Sequence, residues 1–251
     1  MNIVKKAVRA VIREAAREKK KYFTSAIIVA AGKSTRTSGS VPKQLVSICG
    51  QPVVVHTARA FDRCKIINEI IIVAAERELP FYDGFAKKYD IKKPLKIVVG
   101  SETREKSVLA GFEAIDRRSE FVAIHDGARC LIKPDDITRV VKKAYAFGAA
   151  IAAAPSTDTL KRVDAGGAIK TTEDRSTIFR AQTPQVFMKE IYSTSVYAKR
   201  DKSVDATDDS MLAESAGYKV RIVPVGAYNI KITTDEDFFV AEKIMKSEDG
   251  K

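Results

Sequence analysis

From Ser25 onward, short β-branched runs alternate with helical patterns, and ligand-type glycine loops follow the ends of the runs. These two observations predict an α/β fold: a Rossmann-like, mostly parallel sheet with helices on both faces, taking ligands beyond the carboxyl ends of its strands. Length agrees, because 251 residues suit one large α/β domain with a sizeable core.

Composition narrows the function classes. Three cysteines, Cys49, Cys64 and Cys130, form no CxxC pair and no zinc-like spacing. That pattern points to a reducing compartment, with the cytoplasm as the expected location. The longest apolar runs, such as Ile70 to Ala75 and Ala149 to Pro155, fall well short of the ~20 residues of a membrane-crossing helix. The net charge of +12 is unevenly placed: residues 1–21 hold eight Lys or Arg against two Glu, which is +6 of it. The rest is spread thinly and without aromatic interleaving, so no nucleic-acid surface is indicated.

Residues 1–24 read as a basic amphipathic extension and residues 25–251 as one α/β domain. Within the extension, Met1 to Tyr22 reads as a helix, with Ile3, Val4, Ala7, Val8, Val11, Ile12, Ala15 and Ala16 on one stripe. It carries no secretory cleavage pattern. Its mainly Ala, Val and Ile stripe favours packing or partner docking over membrane contact.

The first strand, Ala26 to Val29, leads into AAGKSTRTSGSVPKQ, Ala30 to Gln44. Small residues at Ala30, Ala31 and Gly32 let a ligand approach the backbone, and Gly32 can take a positive φ that bares N–H groups to an anion. Arg36 adds a planar phosphate-binding fork, and Lys43 a point charge beside the fixed φ of Pro42. The loop therefore reads as a triphosphate cradle, against the plainer alternative of a solvated basic loop. It is neither a Walker loop nor GxGxxG.

It resembles the AAGxGxRMG…PKQ signature of the nucleotidyltransferases that make CDP-alcohols, and among them the 2-C-methyl-D-erythritol 4-phosphate cytidylyltransferases. Ser34 stands where glycine is usual and Thr37 where methionine is usual. Three more motifs follow in the same order as in that family, so the likeness spans Ser25 to about Met245.

Gln51 to Cys64 reads as a helix with Pro52 in its first turn, Glu69 to Ala75 as a strand, Arg77 to Tyr89 as a polar helix and Lys96 to Val99 as a strand. Gly100 to Gly111, GSETREKSVLAG, resembles GGxxRxxSVxxG, with Ser101 in place of a glycine. The resemblance puts Gly100, Ser101, Arg104 and Ser107 around a cytosine base. The residues alone describe a helix start, with Thr103 as cap and Glu105 complementing the dipole.

Glu120 to His125 is a buried strand ending in HDGAR. Asp126, leaving the strand beside a glycine, can reach a ribose hydroxyl or a phosphate-bound Mg²⁺, and is the candidate metal ligand. His125 should face away and pack. Cys130 replaces a usual proline as a small filler. Arg129 completes the motif at the substrate side.

Pro134 to Phe147 reads as a helix and Ala149 to Ala154 as a strand. Ser156 to Thr177 carries the signal of a hairpin around Asp164 to Gly167. In the resembled family a β-arm here locks two chains into a homodimer and carries Thr159, Lys161 and Arg175 to the substrate. RAQTPQVF, Arg180 to Phe187, brings Thr183 toward the substrate phosphate by the same likeness. Helices Lys189 to Lys199 and Asp208 to Ala216 follow. Thr207 and Asp208 read as a helix cap and, by resemblance, border the substrate hydroxyls. Lys219 to Pro224 is a strand. Asn229 to Thr233 is a short strand carrying Lys231, an edge-strand lysine or, by resemblance, a phosphate contact. A last helix begins at Thr234.

The resemblance implies transfer of a cytidylyl group from CTP to 2-C-methyl-D-erythritol 4-phosphate with release of pyrophosphate, using Mg²⁺ or another divalent cation. Arg36, Lys43, Arg175 and Lys231 would be the catalytic set. Ribitol 5-phosphate is the rival acceptor, and a non-catalytic binding protein on the same scaffold is the rival class.

Overall fold

The computed structural model describes residues 21–32, 41–202 and 206–249. The helix expected over Met1 to Tyr22 lies outside them except for its last two residues. Arg36, Ser34 and Thr37 also lie outside.

The chain opens with β1 (Thr24–Val29). A small antiparallel pair follows, β2 (Ser47–Ile48) and β3 (Gln51–Pro52), and then the helix Val53–Arg63. Pro52 thus belongs to the pair rather than to the first helical turn. β4 (Glu69–Ala74) and β5 (Leu95–Val99) add two parallel strands. The polar helix expected between them is instead broken into a 3₁₀ turn, Glu76–Glu78, and two short helices, Leu79–Tyr82 and Phe85–Lys88. Gly84 supplies the break with φ 63°. The segment is held by an apolar contact: Tyr82, Phe85 and Tyr89 are buried, with Phe85 and Tyr89 ring centroids 4.8 Å apart.

The helix Arg104–Glu113 starts at Thr103, whose side chain accepts the Lys106 N–H, with Glu105 in its first turn. β6 (Phe121–Asp126), the helix Pro134–Phe147 and β7 (Ala149–Pro155) continue the alternation. β8 (Lys161–Val163) and β9 (Ile169–Thr172) form an antiparallel hairpin whose residues are all exposed. β10 (Phe179–Met188) holds the RAQTPQVF run, and the helices Lys189–Lys202 and Asp209–Ser215, β11 (Arg221–Pro224) and the helix Asp235–Asp249 complete the described chain.

The main sheet has seven strands in the order β11, β7, β10, β6, β1, β4, β5. β10 runs antiparallel to both of its neighbours, and the other pairings are parallel. β1, β4 and β6 are buried on both faces, so their sequences are continuous apolar runs rather than alternating ones. One face packs Phe61, Val140 and Tyr145, and the other Val108, Phe112 and Tyr192. Asn229 to Thr233 is not a strand. It crosses the carboxyl end of the sheet, fixed there by the Ile232 N–H to the Ala128 carbonyl at 2.9 Å.

Candidate active site

The carboxyl ends of β1, β5 and β6 open on a cleft of about 170 Å³ lined by Ala30, Ala31, Gly32, Lys43, Ser101, Arg104, Ser107, Asp126 and Lys231, among others. Residues predicted from four separate stretches of sequence thus meet in one place. The walls come close because they lack side chains. A Cβ on Gly100 would sit 2.4 Å from the Ala31 Cβ, and one on Gly127 3.0 Å from the Val29 carbonyl. Gly32 is not among the positive-φ glycines, so its contribution is smallness rather than a left-handed turn.

The cradle's far end is stitched to the helix behind it. Gln44 accepts the Val54 N–H through its carbonyl at 2.9 Å, and its buried side-chain amide donates to both carboxylate oxygens of Glu78, at 3.0 and 2.8 Å. Lys43 is therefore presented from a fixed backbone. In the opposite wall the Ser107 hydroxyl accepts the Ser101 N–H at 2.9 Å and lies 2.9 Å from the Thr103 carbonyl. Ser107 shapes the base loop from beneath and is itself buried.

Asp126 is the electrostatic centre. Its carboxylate lies 3.0 Å from Lys231 Nζ, 3.3 Å from Arg104 Nε and 3.4 Å from Arg129 Nε. Burial pushes its carboxyl up, but Lys231, Arg104 and Arg129 outweigh burial and hold it well below the usual carboxylate range. Arg104 also donates to Asp209 at 2.8 Å, and Arg129 to the Asn229 carbonyl at 2.9 Å.

The backbone of Asp126 is fixed by a chain whose proton positions follow from donor chemistry. The Arg129 carbonyl can only accept, so His125 Nε2 carries the proton directed at it, 3.1 Å away. His125 Nδ1 is then the acceptor for the Thr183 hydroxyl at 3.0 Å, and Thr183 Oγ1 in turn accepts the Asp126 N–H at 3.1 Å. His125 is fully buried against Phe61, as expected for a packed histidine, and burial pushes it down to about 4. Cys130 is likewise a buried filler, its thiol pushed up to about 12 by burial.

Thr207 and Asp208 border a smaller cavity that Arg104 separates from the main cleft. Asp208 is the cap of the helix Asp209–Ser215 and accepts from Gln185 at 2.8 Å. Thr159, Lys161 and Arg175 are exposed on or beside the hairpin, where Lys161 donates to Thr172 and Arg175 to the Thr157 carbonyl. None of the three is among the described residues lining the cleft of the same chain.

Sequence reasoning did not single out Asp209, Glu78, Gln44 or Asn229. The two aspartates at 208 and 209 look alike in sequence, and only helix geometry sends one to the cap and the other inward to Arg104 and Tyr192. Glu78 sat in a stretch read as a polar helix face.

The fold and these motifs have known counterparts. The family model described as 2-C-methyl-D-erythritol 4-phosphate cytidylyltransferase matches residues 24–247. The enzyme of that name from Caldanaerobacter subterraneus subsp. tengcongensis is 42% identical over 223 residues, covering 88% of this chain and 98% of that protein. Its namesake from Syntrophus aciditrophicus is 38% identical over 227 residues, covering 90% and 97%. The crystal structure of 4-diphosphocytidyl-2C-methyl-D-erythritol synthase from Anaerococcus prevotii superposes with a TM-score of 0.83 at 31% identity, covering 92% of this chain and 99% of that one. The cytidylyltransferase structure from Thermus thermophilus gives 0.70 at 26% identity, covering 90% and 99%. The chain belongs to the 2-C-methyl-D-erythritol 4-phosphate cytidylyltransferase family and is, with that family, a nucleotidyltransferase.

Proposed function

We propose that the chain transfers the cytidylyl group of CTP to 2-C-methyl-D-erythritol 4-phosphate and releases pyrophosphate, a step of isoprenoid precursor synthesis. The observation that supports this most is that Lys43, Arg104, Asp126 and Lys231 line one cleft whose motifs are those of the family, with Arg104 and Lys231 both paired to Asp126. A phosphate oxygen of the acceptor attacks the α-phosphorus of CTP. The bond from that phosphorus to the bridging oxygen of the β-phosphate breaks, and its electron pair leaves with pyrophosphate. No side-chain nucleophile is needed, so the protein positions two anions and neutralises charge.

In this reading the Gly100 to Ser107 loop holds the base. Arg36, outside the described residues, and Lys43 meet the triphosphate, and Lys231 and Arg129 meet the acceptor phosphate. Thr183 acts through its hold on the Asp126 backbone.

Mg²⁺ is commonly bound through one or two carboxylates together with substrate phosphates. The cleft offers Asp126 and Glu102, and among the described residues no group of three His, Cys, Asp or Glu could cage an ion. That donor set fits an ion arriving with the nucleotide, since Lys231, Arg104 and Arg129 otherwise repel a free cation from Asp126. Asp126 would hold it, and the ion would add positive charge at the phosphates during transfer.

The hairpin is the dimer arm in this account. Val163 and Ile169, directly paired across it, are 50% and 64% exposed. An isolated two-stranded hairpin with an apolar pair in water gains stability by burial against a second copy. Thr159, Lys161 and Arg175 would then complete the partner's cleft. No described helix is long and apolar enough to cross a membrane.

The test is product identity. Purified protein with CTP, Mg²⁺ and the methylerythritol phosphate should yield the cytidine diphosphate ester by mass spectrometry, with ribitol 5-phosphate a far poorer acceptor. Preferential use of ribitol 5-phosphate would overturn the substrate assignment.

A further inference from the structure

The segment that carries Lys231 belongs to no strand, so its place at the cleft depends on a few discrete bonds. Beyond the Ile232 link to Ala128, those bonds centre on Asn229, which is fully buried two residues before Lys231. Its side-chain nitrogen donates to the Gln182 carboxamide oxygen and to the Thr183 carbonyl, both at 3.0 Å. The Thr183 carbonyl can only accept, which fixes the orientation of the amide. The Asn229 backbone carbonyl accepts from Arg129 Nη1 at 2.9 Å. One residue thus joins the three stretches that supply Lys231, Arg129 and Thr183.

The β10 side of this junction explains why an amide stands there. The ladder from β10 to β7 breaks between Ala181 and Gln185, and the pairing with β6 begins only at Gln185. Gln182 and Thr183 therefore lie in an irregularity outside both registers, and Asn229 supplies the donors that a neighbouring strand would otherwise give. With its nitrogen committed in this way, the Asn229 oxygen Oδ1 is buried and has no hydrogen-bond partner among the described residues. An unsatisfied buried acceptor opposes stability, which marks the position as one where geometry outweighs stability.

We propose that Asn229 is a positioning residue for the transfer: by tying the Lys231 segment to Arg129 and to the β10 irregularity, it makes the two cations assigned to the acceptor phosphate move as one unit. The inference rests on that assignment. Asp126 does not share the dependence, because β6 is paired along both edges and its ladder with β1 runs as far as Asp126 itself. Loss of the junction therefore disturbs the acceptor and spares CTP.

The test is steady-state kinetics on full-length Asn229→Leu, which removes both donated bonds, and on Gln182→Met, which removes one acceptor at similar volume. The wild type selects the acceptor used, whichever of 2-C-methyl-D-erythritol 4-phosphate and ribitol 5-phosphate it turns over. A wrong alcohol would thus alter the proposed function and leave the comparison between variants intact. KM for the acceptor should rise about tenfold or more in Asn229→Leu, as expected when a phosphate contact is misplaced, and roughly threefold in Gln182→Met, the scale of one neutral hydrogen bond. The Kd of CTP, measured by calorimetry, should stay within about twofold of wild type in both. A merely structural role would lower the unfolding free energy without separating acceptor from nucleotide. If Asn229→Leu does not fold, Gln182→Met decides alone. An unchanged acceptor KM in the deciding variant, or a CTP Kd that rises as far as KM does, would overturn the proposal. A wild type inactive with both acceptors would overturn the proposed function and this inference together.

Discussion

Arg104 Nη1 lies 2.8 Å from the Asp209 carboxylate, which is 2% exposed, while Arg104 Nε faces Asp126. Burial pulls the guanidinium down, but Asp209 and Asp126 more than offset it, so Arg104 is a fixed cation between the cleft and the smaller cavity. Asp209 is therefore a positioning residue whose influence reaches CTP through Arg104. Asp209→Asn should weaken CTP binding roughly tenfold, the scale of one charge-assisted hydrogen bond. Calorimetry measures it, and an unchanged Kd in a folded variant would reduce Asp209 to an anchor for its own helix.

The approach of two loops depends on Gly100. Because a Cβ there would lie 2.4 Å from the Ala31 Cβ, Gly100→Ala must push the base loop off the cradle. Overpacking of this kind costs about 1–3 kcal/mol. Denaturant unfolding should show that loss together with a raised KM for CTP. Gly32→Ala meets no protein atom within 4 Å and is the control for the stability loss alone, because Gly32 itself lines the cleft.

Removing the cradle's charge should affect rate more than folding. Lys43→Ala should lower kcat by ~10²-fold or more, as is typical when a preorganised charge contact to the transition state is removed. Unchanged thermal stability would accompany the loss. Near-normal turnover would displace Lys43 from the reaction.

His125 makes stability depend on pH. Its folded value of about 4 lies below the ordinary 6.5, so the unfolded chain takes up the proton first as pH falls. Stability contributed by the neutral ring is present above 6.5 and is lost progressively down to about 4, where the folded protein also binds the proton. The loss amounts to about 3 kcal/mol. Unfolding free energies across that window should fall more steeply for wild type than for His125→Gln, and parallel curves would contradict the assignment.

If the hairpin completes a partner's site, sedimentation should show two chains per particle, the commonest closed assembly. Mixing Arg175→Ala chains with Lys43→Ala chains should then restore part of the activity, because one composite cleft draws both intact residues. A monomer with full activity would remove the arm from the mechanism.

The sheet was legible because β1, β4 and β6 are continuous apolar runs between loop signals, and the helix Pro134–Phe147 because proline opens its apolar period. The cleft's main residues were legible because each lies in a short motif at a strand end. What escaped the sequence is long-range or orientational. The Glu78 region reads as polar by composition, yet three aromatic rings carry it into the core. Lys231 looked like a strand residue because β-branched neighbours flank it, but that segment is held by the Ala128 carbonyl instead of a ladder. The direction of Asp209 depends on Arg104, 105 residues away, and the hydrogen bond that Thr183 makes to His125 spans 58 residues, which no local pattern encodes.

The central claim is direct transfer within a preorganised ring of charge, without a covalent intermediate. Rapid-quench measurement of pyrophosphate release from CTP and Mg²⁺, with and without 2-C-methyl-D-erythritol 4-phosphate, tests it most directly. The account predicts no release without the acceptor and, with it, one pyrophosphate for each cytidine diphosphate ester formed. A stoichiometric burst of pyrophosphate in the absence of acceptor would reveal a cytidylyl-enzyme and contradict it.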